Sequence, residues 1–238
     1  MPHVIEPPFF MAAIDAGPKN SGLVLAKVDP RNLGYGFEII DWECIQNQRR
    51  FPGRMTPEMV ADASVTQFAW LRSAWKKHVG DKQAPLVAME WATQGRGVFL
   101  GNMYQLLFLL DHWSKGNCHR LTPSQHLKFL REHVGIDLLA ANKNAAIRGR
   151  NNTPRRSSNK DETMAFVDRL FYNGREGLKH PARYDSEWQE LTDSATRYNH
   201  VADACSVALY AAYVYYHKPK AWCTGRKREI KPRKRRRV

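Results

Sequence analysis

The chain has 238 residues, 43% of them hydrophobic and 25% charged, which suits one α/β domain with a sizeable core and excludes a wholly disordered protein. No apolar run reaches the ~18 residues of a membrane span, and no basic-then-apolar leader is visible at the N-terminus. The four cysteines lie far apart, so we expect a soluble, reduced intracellular protein without a zinc site or a disulfide framework.

Most of the positive charge is concentrated at the C-terminus. The chain has 37 Lys and Arg against 23 Asp and Glu, a formal net charge of +14. Residues 218–238 contain eleven basic residues and one acidic residue, which leaves +4 for the first 217. The charge favours a polyanionic partner. We expect a folded domain over 1–217 and a disordered basic tail over 218–238.

The N-terminal part of the chain predicts an antiparallel meander. Short apolar runs alternate there with Gly, Pro and Asn, which is typical of strands joined by tight turns. The first run ends on Asp15, directly before a Gly-Pro pair. We place the three strands at residues 10–15, 22–28 and 37–42.

Helices and strands alternate in the rest of the chain, which predicts a mixed sheet covered by helices. Thr122 and Gln125 form a capping box that begins a helix after the last strand. The order after the meander is a helix over 56–79, a strand over 85–90, a helix over 98–113, a strand over 118–121, a basic loop over 141–159 and a closing helix over 194–216.

Two of these helices have apolar faces. A stripe on the second is most simply core, although part of it can form a dimer seam if it remains exposed. The residues expected near one face of the first helix are Ala61, Val65, Phe68 and Trp75, and the stripe on the second consists of Met103, Leu106, Leu107 and Leu110.

Three acids occur where the fold brings distant residues together. Asp15 ends the first strand, Glu90 ends the fourth, and Asp203 lies on the closing helix three residues after His200. Strand ends meet at a common sheet edge, and the i, i+3 spacing places His200 and Asp203 on one helix face. Such carboxylates can hold two divalent ions ~3.5–4 Å apart for phosphodiester hydrolysis, and Mg²⁺ prefers oxygen ligands.

Each of these residues also has an ordinary structural explanation. An Asp before Gly is commonly a turn residue, and a Glu at the end of a strand is commonly solvated. His200 fits a partly buried core position, and Asp203 fits the surface of an amphipathic helix. The small apolar neighbours of Asp203 argue against free solvation. Coincidence of all four residues in this order is much less expected than any one alone.

The segments around these residues resemble the RuvC family of Holliday-junction resolvases. The Gly-Pro-Lys-Asn turn is also similar to the poxvirus and mitochondrial branches. The resemblance covers residues 10–216 and implies a ribonuclease-H-like fold, with a mixed five-stranded sheet flanked by helices. The matching segments are Ile14-Asp15-Ala16-Gly17-Pro18-Lys19-Asn20-Ser21-Gly22, Val87-Ala88-Met89-Glu90 and His200-Val201-Ala202-Asp203-Ala204.

The resemblance also implies an activity and a set of site residues. It implies a homodimeric endodeoxyribonuclease that makes paired nicks across a four-way DNA junction. Two Mg²⁺ ions, which Mn²⁺ can replace, are expected in each active site. Asp15, Glu90 and Asp203 match the family's metal-binding acids. His200 stands where many members have another Asp, and its implied role is either metal ligand or general base.

Further residues are expected to contact DNA. Lys19 lies in the turn after the first strand, and Phe99 either stacks on an unpaired base or is buried. Lys128 and Lys160 resemble the family's lysines near the scissile phosphate. The basic loop over 141–159 can neutralise phosphates, with a solvated linker as the alternative. Its candidate DNA-binding residues are Arg148, Arg150, Arg155 and Arg156.

The last eight residues have two interpretations. Residues 231–238 resemble a nuclear localisation signal that an import receptor binds, and they equally resemble a disordered arm with nonspecific DNA affinity. The expected location is the nucleus if the host is eukaryotic and the cytoplasm otherwise.

Three classes of function remain open at this point. The first is a junction-resolving DNA endonuclease, and the second is another nuclease of the same fold, acting on RNA–DNA hybrids or transposon DNA. The third is not a nuclease. An actin-like phosphate-binding protein shares the Asp-x-Gly turn, but it requires a second Gly-rich loop that we do not find. A noncatalytic DNA-binding protein would not need the three acids together.

Overall fold

The computed structural model describes residues 5–33, 36–47, 55–91, 97–134, 163–164, 167 and 195–222, and the structural statements below concern these residues. They form one five-stranded sheet and several helices. The strands are β1 (Phe9–Asp15), β2 (Asn20–Val28), β3 (Phe37–Gln46), β4 (Val87–Glu90) and β5 (Cys118–Leu121). The helices are α1 (Pro57–His78), α2 (Val98–Trp113), α3 (Pro123–Phe129), α4 (Ala195–His217) and α5 (Pro219–Trp222), and a π-helical turn (Leu130–Val134) extends α3.

The sheet is mixed, as the sequence predicts. Its strand order is β3-β2-β1-β4-β5. β2 pairs antiparallel with both β1 and β3, whereas β4 is parallel to β1 and β5 is parallel to β4. Ile14 pairs with Met89 across the β1–β4 ladder. The carboxyl ends of these two central strands therefore place Asp15 and Glu90 side by side at one edge of the sheet.

The alternation of side chains along the strands determines which layer these carboxylates face. Successive residues of a strand point to opposite faces of the sheet. Met11 and Ala13 belong to the core cluster that contains the apolar residues of α4, whereas Ile14 and Met89 belong to the cluster formed with α1 and α2. Asp15 therefore shares the face of Ala13, which is the face that α4 covers.

Gly22 allows α4 to lie directly against the sheet. It pairs with Asp15 across the β1–β2 ladder. A Cβ at this position would lie 1.9 Å from the carbonyl oxygen of His200 and 2.6 Å from the nitrogen of Val201. No side chain fits between these two backbones, so the glycine holds the beginning of α4 next to the end of β1.

The predicted face of α1 is correct at Trp75, which is buried, and wrong at Val65, which is 54% exposed. The buried face also carries Ser64 and Gln67 among its apolar residues. The amide of Asn102 on α2 donates to the Ser64 hydroxyl at 2.8 Å and to Gln67 Oε1 at 3.3 Å. The two helices thus meet through hydrogen bonds as well as apolar contacts, and a pattern of apolar residues cannot locate a face of this kind.

The predicted stripe on α2 is core. Met103, Leu106 and Leu110 are fully buried within the chain, so they are not available for a dimer seam. Leu107 is partly buried against the same cluster. The large apolar side chains that α2 exposes are Tyr104 and Phe108, at 60% and 72%.

The fold continues beyond the predicted end of the domain at residue 217. α5 follows α4 closely, and its Trp222 is buried. The Trp222 ring stacks on His119 of β5 and packs edge-on against Tyr215 of α4. The predicted start of the tail at residue 218 is therefore too early. The basic composition of this segment gave no sign of α5, a short helix fixed by the buried ring of Trp222. Residues 223–238 and the predicted loop over 141–159 lie outside the described residues.

Among the described residues, no helix combines the length and apolarity that crossing a membrane requires. The three cysteines of the described residues, Cys44, Cys118 and Cys205, are free thiols.

The contact at Gly22 leads to a stability prediction. Gly22→Ala forces the backbones of β2 and α4 apart, and we expect a loss of about 1–3 kcal/mol in the free energy of unfolding, as for other overpacked sites. Urea denaturation measures the change. Gly101→Ala is the matched control, since its Cβ would meet Val60 at an ordinary 3.7 Å and alanine favours a helix by about 0.5–1 kcal/mol. Equal effects of the two substitutions would contradict the close contact.

Candidate active site

Asp15 is joined to the closing helix by a histidine. The Nδ1 atom of His200 lies 2.6 Å from Asp15 Oδ2. Both side chains are partly buried, with 15% of Asp15 and 20% of His200 exposed. The contact follows from the fold, because Asp15 faces α4 and Gly22 allows the helix to approach. The two residues lie 185 positions apart in the sequence.

Glu90 is bound by a second histidine, which the sequence analysis did not identify. His126 of α3 places its Nε2 atom 3.0 Å from Glu90 Oε2 and its Nδ1 atom 2.6 Å from the hydroxyl of Ser206 on α4. The His126 side chain is 1% exposed. Burial lowers the pKa of His126 to about 4, against the opposing effect of the negative charges of Asp203 and Asp15. The ring is therefore neutral at pH 7.

Asp203 is the third acid of the site. Thr163 donates a hydrogen bond from its hydroxyl to Asp203 Oδ1 at 2.6 Å. Burial and the negative charges of Asp15 and Glu90 together raise the pKa of Asp203 to about 7, against the opposing effects of the Thr163 hydrogen bond and of His126. The influence of both other carboxylates on this pKa indicates that the three acids share one electrostatic environment.

A buried polar network supports the turn that follows Asp15. Ser21 donates to the carbonyl of Gly17 at 2.6 Å, which closes the turn. Gln67 of α1 donates to the same carbonyl at 2.8 Å and contacts Ser21 Oγ at 2.6 Å. Ser21, Gln67 and Asn102 are all fully buried. The end of β1, and with it Asp15, is thus tied to both α1 and α2.

The donor set at this edge of the sheet suits a hard divalent cation. The three carboxylates from β1, β4 and α4 carry oxygens of the type that Mg²⁺ prefers, and a cation bound among them would relieve their mutual repulsion. In the part of the chain that the structure describes, no group of three or more His, Cys, Asp or Glu side chains converges closely enough to hold a metal ion as it stands. Asp15 and Glu90 are each engaged by an imidazole instead.

The candidate DNA-binding residues are only partly covered by the described residues. Lys19 is exposed in the turn after Asp15. Lys128 is exposed and pairs with Glu132 one helical turn away, at 3.6 Å. Phe99 is partly buried and packs against the core cluster formed by α1, α2 and the sheet, which favours the burial alternative. The candidates outside the described residues are Arg148, Arg150, Arg155, Arg156 and Lys160.

Three residues at the site were missed by sequence reasoning, namely His126, Thr163 and Ser206. His126 had a detectable signal, because it lies one turn into the helix whose start the capping box defines. The Gln125 side chain accepts from the Thr122 backbone N–H at 2.7 Å, which confirms that helix start. Thr163 and Ser206 carry ordinary hydroxyls, and only the folded chain brings them to the acids.

The comparisons with known proteins agree with this architecture. No protein-family model matches the chain, and no curated protein matches it in sequence. Among solved structures, T. thermophilus RuvC in complex with a Holliday junction substrate is similar to the chain, with a TM-score of 0.52 and 14% identity over 88% of this chain and 97% of that one. This likeness shows the fold, a ribonuclease-H-like mixed sheet flanked by helices.

Two further solved structures are more distantly similar. Thermus thermophilus RuvC has a TM-score of 0.46 and 16% identity over 87% of this chain and 95% of that one. Fowlpox virus resolvase, in complex with substrate Holliday junction DNA, has a TM-score of 0.39 and 11% identity over 87% of this chain and 99% of that one.

The raised pKa of Asp203 gives a pH-dependent stability. The folded protein binds this proton more tightly than the unfolded chain, so the free energy of unfolding falls as the pH rises from about 4 to about 7 and levels off above that. Asp203→Asn removes this dependence. The free energy of unfolding of the variant minus that of the wild type should therefore be larger at about pH 8 than at about pH 4.5. The increase should be on the order of 1.4 kcal/mol for each pKa unit of the shift.

Urea denaturation of metal-free protein at both pH values measures this difference. Asp62→Asn is the control, because Asp62 is an exposed residue of α1, which packs on the face of the sheet opposite α4. A pH dependence in Asp203→Asn that matches the wild type and Asp62→Asn would show that Asp203 is not the group responsible.

Proposed function

We propose that the protein is a Mg²⁺-dependent, structure-selective DNA endonuclease that resolves four-way junctions. The observation that supports this most directly is the placement of Asp15, Glu90 and Asp203 at one edge of a ribonuclease-H-like sheet, where the charges of Asp15 and Glu90 act on Asp203. Three acids placed close together and partly buried destabilise a fold, because both their repulsion and their burial cost free energy. Such an arrangement is expected where the carboxylates bind cations that act on a polyanion.

The proposed metal-binding groups are the oxygens of these three acids. A pair of divalent ions supplies an activated water and stabilises the leaving oxygen in phosphodiester hydrolysis. Asp15 and Glu90 project from rigid neighbouring strands, which fixes the spacing of their carboxylates. Thr163 orients Asp203 by its hydrogen bond. The proposal includes Mn²⁺ as a substitute for Mg²⁺.

His200 has two proposed roles, which the geometry relates to each other. It contacts Asp15 through Nδ1, so rotation of the ring away from Asp15 would release a carboxylate oxygen for a cation. The imidazole then either joins the ligand set or accepts a proton from the attacking water.

The substrate and the assembly are further parts of the proposal. The T. thermophilus RuvC structure with the TM-score of 0.52 is a complex with a Holliday junction substrate, which supports branched DNA as the partner. Paired nicks on opposite strands require two sites, so we propose a homodimer. The exposed rings of Tyr104 and Phe108 on α2 offer apolar surface for its interface. The alternative is a nuclease of the same fold that acts on RNA–DNA hybrids or transposon DNA.

Substitution of the three acids tests the proposed chemistry. Asp15→Asn, Glu90→Gln and Asp203→Asn should each keep junction binding and lose more than about 100-fold in nicking rate, since even groups behind the metal ligands typically contribute about 10–100-fold. Nicking of a labelled junction in Mg²⁺ or Mn²⁺ measures the rate, and a gel shift in Ca²⁺ measures binding.

Asp41→Asn is the matched control for these variants. Asp41 also forms a carboxylate–histidine pair, with His78 at 2.9 Å, but it lies on β3 away from the site. It should nick normally. Near-normal cleavage by any of the three site variants would remove that residue from the metal-binding set. Equal cleavage of a junction, a linear duplex and an RNA–DNA hybrid would contradict the proposed junction specificity, and the protein would then be a general nuclease.

The basic C-terminal segment is proposed as a DNA-binding arm, with nuclear import as its alternative role. Residues 223–238 contain nine Lys or Arg and one Glu. Truncation after Trp222 preserves the buried anchor of α5 and should reduce the salt dependence of junction binding by up to about 0.9 in log–log slope for each phosphate that the arm neutralises. Cleavage should persist. An unchanged slope would exclude a DNA-binding role for this segment. Cytoplasmic retention of a truncated fluorescent fusion in eukaryotic cells would support the import role.

A further inference from the structure

His126 is a buried polar ring with both of its nitrogens engaged. Nε2 lies 3.0 Å from Glu90 Oε2, and Nδ1 lies 2.6 Å from Ser206 Oγ. An apolar side chain of similar size would fill the same space without the cost of burying two polar atoms. The ring is therefore best explained by what it binds, and one of its partners is an acid of the site.

The hydrogen-bond chemistry determines the direction of these contacts. A carboxylate oxygen only accepts, so we assign a proton to Nε2, which donates to Glu90. The Ser206 hydroxyl both donates and accepts, and it also lies 2.8 Å from the carbonyl oxygen of Asp203. The neutral ring that donates from Nε2 carries no proton on Nδ1, so Nδ1 accepts from the Ser206 hydroxyl, whose single proton has the Asp203 carbonyl as its alternative acceptor.

The contacts of His126 connect three elements that build the site. The residue belongs to α3, its carboxylate partner ends β4, and its hydroxyl partner lies on α4, three residues after Asp203. Ser206 is fully buried, so its position is set by the packing of α4 on the sheet. This geometry fixes one oxygen of Glu90 relative to the helix that carries His200 and Asp203.

We propose that His126 and Ser206 are positioning residues that orient the Glu90 carboxylate and thereby set the affinity of the site for divalent cations. The proposal rests on the proposed nuclease function, in which Glu90 is a metal ligand. Groups that hydrogen-bond to a ligating side chain fix its orientation, and their loss typically weakens metal binding about 10–100-fold. His126 touches neither substrate nor cation and acts through Glu90.

Two substitutions at position 126 distinguish the contact with Ser206 from the contact with Glu90. In His126→Asn the amide ends where Nδ1 stands, so it keeps a partner for Ser206 and falls short of Glu90. In His126→Gln the amide reaches the position of Nε2 and keeps a donor for Glu90. His119→Gln is the matched control. His119 also contacts an oxygen through a ring nitrogen, the backbone carbonyl of Trp222 at 3.2 Å, and it belongs to β5.

The readout is Mn²⁺ binding by the full-length protein without DNA, measured by calorimetry. His126→Asn should raise the Kd for Mn²⁺ about 10–100-fold, whereas His126→Gln and His119→Gln should stay within about threefold of the wild type. In junction cleavage, the half-saturating Mn²⁺ concentration of His126→Asn should rise by the same factor, with the rate largely recovered at high Mn²⁺. If His126→Asn does not fold, Ser206→Ala carries the test and should weaken Mn²⁺ binding several-fold.

The other outcomes are also decisive. Mn²⁺ affinities within about twofold of the wild type in all folded variants, or equal losses in His126→Asn and His119→Gln, would overturn the positioning role. A wild type that binds Mn²⁺ and cleaves no nucleic acid would remove the nuclease function, and the Mn²⁺ affinities would still test the pair. A wild type that binds no Mn²⁺ would overturn both.

Discussion

The close contact between α4 and β2 at Gly22 is the constraint on which the site depends. Backbone meets backbone there, and the missing Cβ places His200 within hydrogen-bond distance of Asp15. α4 packs against β1 and β2 in part through small buried residues, among them Ala202 and Ala204, which allows this part of the helix to lie close to the sheet. The carboxylate of α4 consequently lies beside those of the strands.

The proximity of the three carboxylates produces electrostatic repulsion, which their hydrogen bonds reduce in part. Burial and repulsion from Asp15 and Glu90 raise the pKa of Asp203 to about 7. The partners of the three acids come from different places in the chain, with an imidazole for Asp15, a second imidazole for Glu90 and a hydroxyl for Asp203. A bound cation would stabilise the carboxylates more strongly than these hydrogen bonds do, because its charge acts on all three at once. The proposed cofactor would therefore relieve the repulsion that remains in the metal-free site.

The strands and the order of the elements could be predicted, and the three candidate acids could be selected, because each leaves a local pattern in the sequence. Apolar runs ending on Asp15 and Glu90 are visible in the sequence, and the i, i+3 spacing of His200 and Asp203 is also local. His126 and Ser206 lie 80 positions apart, and each has an ordinary local environment, so their meeting depends on helix packing. The same limit explains the error at α1, where polar side chains occupy part of the buried face. The basic loop over 141–159 stays a prediction.

The short length of α3 has a consequence for changes in chain length. The helix has seven residues, and its start is fixed by Pro123 and the Thr122–Gln125 cap. Each inserted or deleted residue turns the following part of a helix by about 100°. One insertion between the cap and His126 would rotate the imidazole away from Glu90 while leaving every side chain of the site in the sequence. The helical phase of this segment, and not only the identity of residue 126, is therefore constrained.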